Sequence, residues 1–149
     1  MLTHCDYVFA GESAKFQMPF VNLGVVPEFG STCSLPARMG YIRAAELILL
    51  AQPFNALRAA ELGLVTQVIP DETLLTTASE TAQKLAQKPP AALQASKRLM
   101  RWSTRQPVED AIRAENEEFA SRVRSPEARD AMEAFLDKHQ PHITTTTQP

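Results

Sequence analysis

The sequence predicts an α/β fold, with a mixed strand-and-helix portion over residues 1–88 followed by a helical region over residues 89–141. Three observations carry this. Short apolar runs rich in strand formers and bounded by turn residues, such as Tyr7-Val8-Phe9-Ala10, all lie in the first half of the chain. Helical patterns interleave with them from residue 43. From Pro89-Pro90 onward the pattern is almost wholly helical, and the composition shifts with it. At 149 residues, 44% apolar and 21% charged, the chain has an ordinary globular composition and the length of one domain or less.

The elements follow in order. Tyr7-Val8-Phe9-Ala10 reads as a buried strand and Gly11-Glu12-Ser13 as the turn after it. Lys15-Phe16-Gln17-Met18 alternates polar and apolar before Pro19, and Leu23-Gly24-Val25-Val26 runs apolar into Pro27, so both are expected to be short extended pieces. A helix is expected over residues 43–50 after Gly40, and another from an Asn55 N-cap to Gly63. The β-branched run at residues 65–69 reads as a strand. Asp71 after Pro70 is placed to cap a helix towards Lys88, with basic residues in its last turn as the helix dipole prefers. Pro107 is expected to open a further helix, with Glu109 and Asp110 in its first turn, Arg122 and Arg124 at its end, and Val108, Ile112, Phe119 and Val123 on one face. A last helix opens at Ser125-Pro126-Glu127 and is expected to bury Met132, Phe135 and Leu136. The tail, residues 142–149, with four threonines in a row, is expected to be disordered. Only about three short strands can be counted, few for a stable sheet, and the first begins close to Met1; more of the sheet is expected upstream.

Charge and cysteine usage exclude several function classes. A net charge of −2 and a pI near 5.9 give no electrostatic reason for nucleic-acid binding. Cys5 and Cys33 have neither metal-ligand nor disulfide-framework spacing, and no metal site is expected. A reducing, cytoplasmic compartment fits this usage. No apolar run approaches the roughly 20 residues that span a bilayer, and residues 1–6 lack the basic start and apolar stretch of a signal peptide, so no membrane contact is expected. The basic residues Lys97, Arg98, Arg101 and Arg105 spread over several helix faces, where a solvated surface is the default and phosphate contact the alternative.

Several ordered motifs converge on one family. His4-Cys5-Asp6-Tyr7-Val8-Phe9-Ala10, Ala14-Lys15-Phe16, Pro19-Phe20 and the run Leu23-Gly24-Val25-Val26-Pro27-Glu28-Phe29-Gly30-Ser31 resemble the central signature of the enoyl-CoA hydratase/isomerase, or crotonase, family. Leu35-Pro36, Gly40, Ala45-Glu46, Pro53-Phe54-Asn55-Ala56 and Gly63-Leu64-Val65 fall at the same family's spacing, and Ala134-Phe135-Leu136-Asp137-Lys138 resembles its closing helix. The resemblance covers nearly the whole chain up to Pro141. It departs at Ala51, where the family often has glycine, and at Asn55, where aspartate or serine is frequent.

The resemblance implies a crotonase-like spiral of repeated ββα turns, here its C-terminal portion, with residues 89–141 as the helical trimerisation region. It also implies a homotrimer or hexamer, and an acyl-CoA thioester as substrate without a separate cofactor. In the family two backbone N–H groups polarise the thioester carbonyl, stabilising charge on its oxygen as an enolate-like state develops. Both would lie upstream of this chain, each contributing about a hundredfold to a thousandfold in rate, so the 149-residue chain by itself is expected to be nearly inactive.

Glu28 is the candidate catalytic residue. A lone loop glutamate is ordinarily a solvated surface group, but one that faces a pocket beside Val25, Val26 and Phe29 would have its pKa raised towards that of a useful base. The resemblance supports the second reading, because Glu28 in Pro27-Glu28-Phe29-Gly30 falls where peroxisomal-type enoyl-CoA isomerases carry their catalytic glutamate. Hydratases usually share water activation and protonation between two carboxylates, whereas one carboxylate can serve a 1,3-proton shift as base and then acid. The hydratases' first glutamate would fall just before Met1 and their second at position 20, which is Phe20 here. Phe20 is then expected to line the acyl pocket with Leu23 and Val25, or else simply to be core. Phe135 and Lys138 match positions that contact the nucleotide end of coenzyme A; a core role on an amphipathic helix is the alternative for Phe135. His4 reads as buried and hydrogen-bonded, and His139 and His142 as residues of a frayed end. The expected activity is that of a Δ3,Δ2-enoyl-CoA isomerase acting through Glu28. The competing readings are a hydratase or other crotonase reaction, and a non-catalytic remnant or oligomerisation module.

Overall fold

A computed structural model describes the backbone of residues 1–139 and the side chains of residues 1–137. The expected disordered tail, with His142, lies outside the described residues, as do the side chains of Lys138 and His139. Four short strands form two pairs. Strand β1 (Phe9–Gly11) runs parallel to β4 (Gln67–Ile69), with Ala10 opposite Val68, and β2 (Lys15–Phe16) runs antiparallel to β3 (Phe54–Asn55), with Phe16 opposite Phe54. The strand expected at Tyr7 therefore begins two residues later, and Tyr7 itself is half exposed.

Three helices lie between β2 and β4 in sequence. Helix α1 (Ser31–Met39) and helix α2 (Tyr41–Leu49) meet at Gly40, and α3 (Ala56–Glu61) is capped by the Asn55 side chain, which accepts from the Arg58 N–H at 2.8 Å. That cap is the one the sequence indicates. The core is built where these elements converge: Ala10, Leu35, Met39, Ala44, Leu47, Ala56, Ala59, Leu62, Leu64 and Val65 are buried together, with the Phe16 and Phe54 rings stacked 5.6 Å apart at its edge. Ala51 is fully buried with φ +50°, a left-handed conformation that disfavours a Cβ.

Four sequence expectations are corrected. Helix α1 was not foreseen, because Ser31-Thr32-Cys33-Ser34 are weak helix formers and Pro36 lies inside it. The segment Leu23-Gly24-Val25-Val26 is not an extended run: Val21–Leu23 forms a 3₁₀ turn, Gly24 is left-handed at φ +69°, and the Val25 N–H closes back on the Phe20 carbonyl at 3.0 Å. Asp71 caps no helix; a 3₁₀ turn (Asp71–Thr73) precedes α4 (Leu74–Ala86), and the Asp71 carboxylate faces the Ser13 N–H across the chain at 3.5 Å. Finally, Pro107 opens no helix but sits inside the 33-residue α5 (Pro90–Arg122). The ring removes one N–H that would bond the Ser103 carbonyl, a loss that water offsets on this exposed face. Side-chain pairs Arg105–Glu109 at 2.9 Å and Gln106–Asp110 at 3.0 Å bridge the interruption.

Helix α6 (Pro126–His139) packs through its first turns. Ala128 is fully buried against the Val21–Leu23 turn, Met132 is half-buried, and the face then runs past the edge of the body, so Phe135 and Leu136 are 43% and 60% exposed where burial was expected. No helix among the described residues is long and apolar enough to cross a membrane.

Candidate active site

The segment from Phe20 to Thr32 is held by distant parts of the chain: His4, Glu115 of α5 and Ala128 of α6. Pro27 and Gly30 are buried, Glu28 is half-buried, and Phe29 and Gly30 are successive left-handed residues at φ +61° and +68°. Such a pair turns the backbone sharply just after Glu28. Glycine is required at position 30 for a second reason: a Cβ there would stand 2.9 Å from Val108 Cγ1 of α5. The Ser31 N–H and hydroxyl both donate to the Glu28 carbonyl, the former at 3.2 Å, and His4 Nε2–H donates to the Phe29 carbonyl at 2.6 Å. His4 is thus hydrogen-bonded as expected, although only half-buried.

Helix α5 supplies the deepest anchor. Val108, Ile112 and Phe119 form the inward stripe that the sequence indicates, whereas Val123, expected on the same face, is exposed; within the stripe, at the same helical spacing, stands Glu115, only 5% exposed. One of its oxygens accepts from the Gly30 N–H at 2.7 Å. The other accepts from the Thr32 N–H at 2.8 Å and the Thr32 hydroxyl at 2.6 Å. A carboxylate so placed satisfies the otherwise orphaned donors at the N-terminus of α1 and complements the helix dipole. Sequence reading passed over this residue, although an acidic side chain in the middle of an apolar stripe was the signal.

A second tie joins α5 to the start of the chain. Asp6 pairs with Lys97 and with Arg101 at 3.0 Å, and Arg101 also donates to the His4 carbonyl. The hydrogen bond from Lys97, followed by the charges of Lys97 and Arg101, holds the Asp6 carboxyl below the usual carboxylate range. Lys97, Arg101 and Arg105 lie on the expected solvated surface, where Lys97 and Arg101 pair with Asp6 and Arg105 pairs along its own helix.

Beside the Glu28 turn lies a cavity of about 250 Å³ with Phe16, Met18, Phe20, Phe29, Leu35 and Leu64 among its walls. No Asp or Glu is among the described residues that line it. Of the residues expected in an acyl pocket, Phe20 reaches this cavity; Leu23, half-buried at the end of the 3₁₀ turn, and Val25, 5% exposed, do not. Glu28 is not part of the lining but directly precedes Phe29, which is. Phe135 stands apart on α6, and Lys138 lies in the last turn of that helix. Chemically, an apolar hollow of this kind accepts a hydrocarbon chain.

The sequence profile described as enoyl-CoA hydratase/isomerase matches residues 1–146. The chain belongs to the enoyl-CoA hydratase/isomerase family. Its relatives in this family include the 2,3-dehydroadipyl-CoA hydratase of Escherichia coli, 33% identical over 137 residues that cover 92% of this chain and 54% of the relative. The 1,2-epoxyphenylacetyl-CoA isomerase of the same organism is 36% identical over 139 residues, covering 93% and 53%. Among solved structures, an enoyl-CoA hydratase/isomerase from Pseudoalteromonas atlantica T6c superposes with a TM-score of 0.89 at 35% identity, covering 95% of this chain and 57% of that one. OdaA of Pseudomonas aeruginosa superposes with a TM-score of 0.88 at 42% identity, covering 93% and 56%. The crotonase-like fold is thereby shown, and the chain spans about half the length of the curated relatives it matches. Both hydratases and isomerases stand among them.

Proposed function

We propose that this chain is the Glu28-bearing portion of an acyl-CoA enzyme that moves the double bond of a 3-enoyl-CoA to the 2-position. The observation that carries this reading is position 20. Phe20 lines the apolar cavity where a hydratase-like site would be expected to bring a second carboxylate, and Glu28, next in sequence to the cavity residue Phe29, is the carboxylate left to act as acid and base. Glu28 would take the proton from C2 of the acyl chain and return it at C4, a task one carboxylate can complete, while the thioester oxygen carries the developing charge. Phe135 and Lys138 on α6 are proposed contacts for the nucleotide end of coenzyme A, and a trimer or hexamer is the proposed assembly. Hydration is the second reading, favoured by the hydratases among the relatives.

The test joins this chain to the upstream half of a relative and offers it a 3-enoyl-CoA and, separately, a 2-enoyl-CoA. Isomerisation raises the ultraviolet absorbance of the conjugated thioester, and hydration lowers it. The expected result is a rise with the first substrate that Glu28→Gln reduces by at least about a hundredfold, the scale of a lost general acid–base. Loss of absorbance with the 2-enoyl-CoA and no isomerisation would establish the hydratase reading instead. No turnover of either substrate would favour a non-catalytic remnant.

A further inference from the structure

We infer that Glu115 is a positioning residue for the reaction, fixing Glu28 through the backbone of the turn between them; this deepens the function proposed above and rests on it. Glu115 is the buried charged residue of the described core, at 5% exposure, and its three hydrogen bonds all go to Gly30 and Thr32, more than 80 residues away in sequence. The carboxylate serves the fold by satisfying the first donors of α1, and the same three bonds reach into the turn that carries Glu28. It thereby immobilises two N–H donors, one on each side of Ser31. Ser31 in turn holds the Glu28 carbonyl through its own N–H and hydroxyl.

Glu28 is thus bracketed. On its N-terminal side Pro27 is buried with its φ locked by the ring; on its C-terminal side the left-handed pair Phe29 and Gly30 ends at the Glu115 anchor. A proton transfer between carbon atoms demands placement of the base to within a fraction of an ångström, and a displacement of about 1 Å can cost about a hundredfold in rate. Releasing the anchor would let the turn relax and the Glu28 carboxylate drift from the carbon it serves, while the cavity walls outside the turn, Phe16, Met18, Leu35, Phe54 and Leu64, stay in place to hold the acyl chain.

The test uses the chain joined to a relative's upstream half, active towards 3-enoyl-CoA, with Glu28→Gln assayed alongside. In Glu115→Gln the side-chain amide sets an N–H against an N–H or hydroxyl donor, and kcat is expected to fall about 10- to 100-fold with KM within about twofold. Thr32→Val removes one of the three hydrogen bonds and should lower kcat about 3- to 10-fold, and Thr32→Ser, which keeps the hydroxyl, should restore it to within about twofold. A merely structural role would reduce the fraction of folded protein and leave kcat per folded molecule and the Ser rescue unmoved. If Glu115→Gln does not fold, Thr32→Val against Thr32→Ser decides. Folded variants that keep kcat within about twofold, while Glu28→Gln abolishes activity, overturn this inference alone. Activity that survives Glu28→Gln overturns the function proposed for the site and this inference with it.

Discussion

The body around β1, β4 and α1 to α3 and the long helix α5 are stabilised by different means. The body buries a continuous cluster in which Leu35, Ala59 and Leu62 are at most 2% exposed. Helix α5, although 33 residues long, leaves Leu99, Met100 and Trp102 at least 70% exposed and buries one residue, Glu115, through polar contacts. The body is held by apolar area removed from water. Helix α5 is held at a few points, each of which fixes another part of the chain: Glu115 on the Glu28 turn, Lys97 and Arg101 on the chain start. Helix α6 follows the second pattern, touching the body where Ala128 meets the turn before Gly24.

Substitutions should separate the two patterns. The largest effect is expected from Leu35→Ala in the body, about 2–5 kcal/mol in a denaturant titration, because the cavity it leaves cannot collapse among rigid neighbours. Gly24→Ala should cost nearly as much, about 2–4 kcal/mol, since the new Cβ would stand 2.8 Å from the Ala128 backbone at a left-handed residue. A loss below about 1 kcal/mol would mean that α6 moves aside freely and is not a clamp on that turn. Asp6→Asn should cost least, below about 1 kcal/mol at neutral pH, because the ion pairs it breaks are more than a third exposed. The sign of its pH dependence follows from the direction of the shift. The folded carboxyl is held below its ordinary value of 3.8, so its contribution is present above that pH and disappears as pH falls through the lower folded value. The difference between wild type and Asp6→Asn should therefore be constant from pH 5 to pH 7 and vanish in stronger acid.

What the sequence disclosed divides along the same line. Local signals were legible: the Asn55 cap, the strand formers of β1 and β4, the Pro90 helix start and the apolar stripe of α5 all announce themselves within a few residues. The family signature placed Glu28 and Phe20, and Phe20 does reach the cavity. Interactions across 80 or more residues were not legible. Helix α1 forms from weak helix formers because a carboxylate from α5 satisfies its first donors, and no window around Ser31 contains that information. The same holds for Pro107, whose cost inside α5 depends on exposure, and for Phe135, whose burial depended on how far the body extends beneath α6.

Residue-resolved amide hydrogen exchange on the 149-residue chain tests most directly whether α5 holds the Glu28 turn. The Gly30 and Thr32 amides are expected to exchange as slowly as those in the middle of α1, and Glu115→Gln should accelerate both at least about tenfold while leaving α3 unchanged, as a local opening does. Exchange at loop rates in the wild type, or equal rates with and without the Glu115 carboxylate, would contradict it.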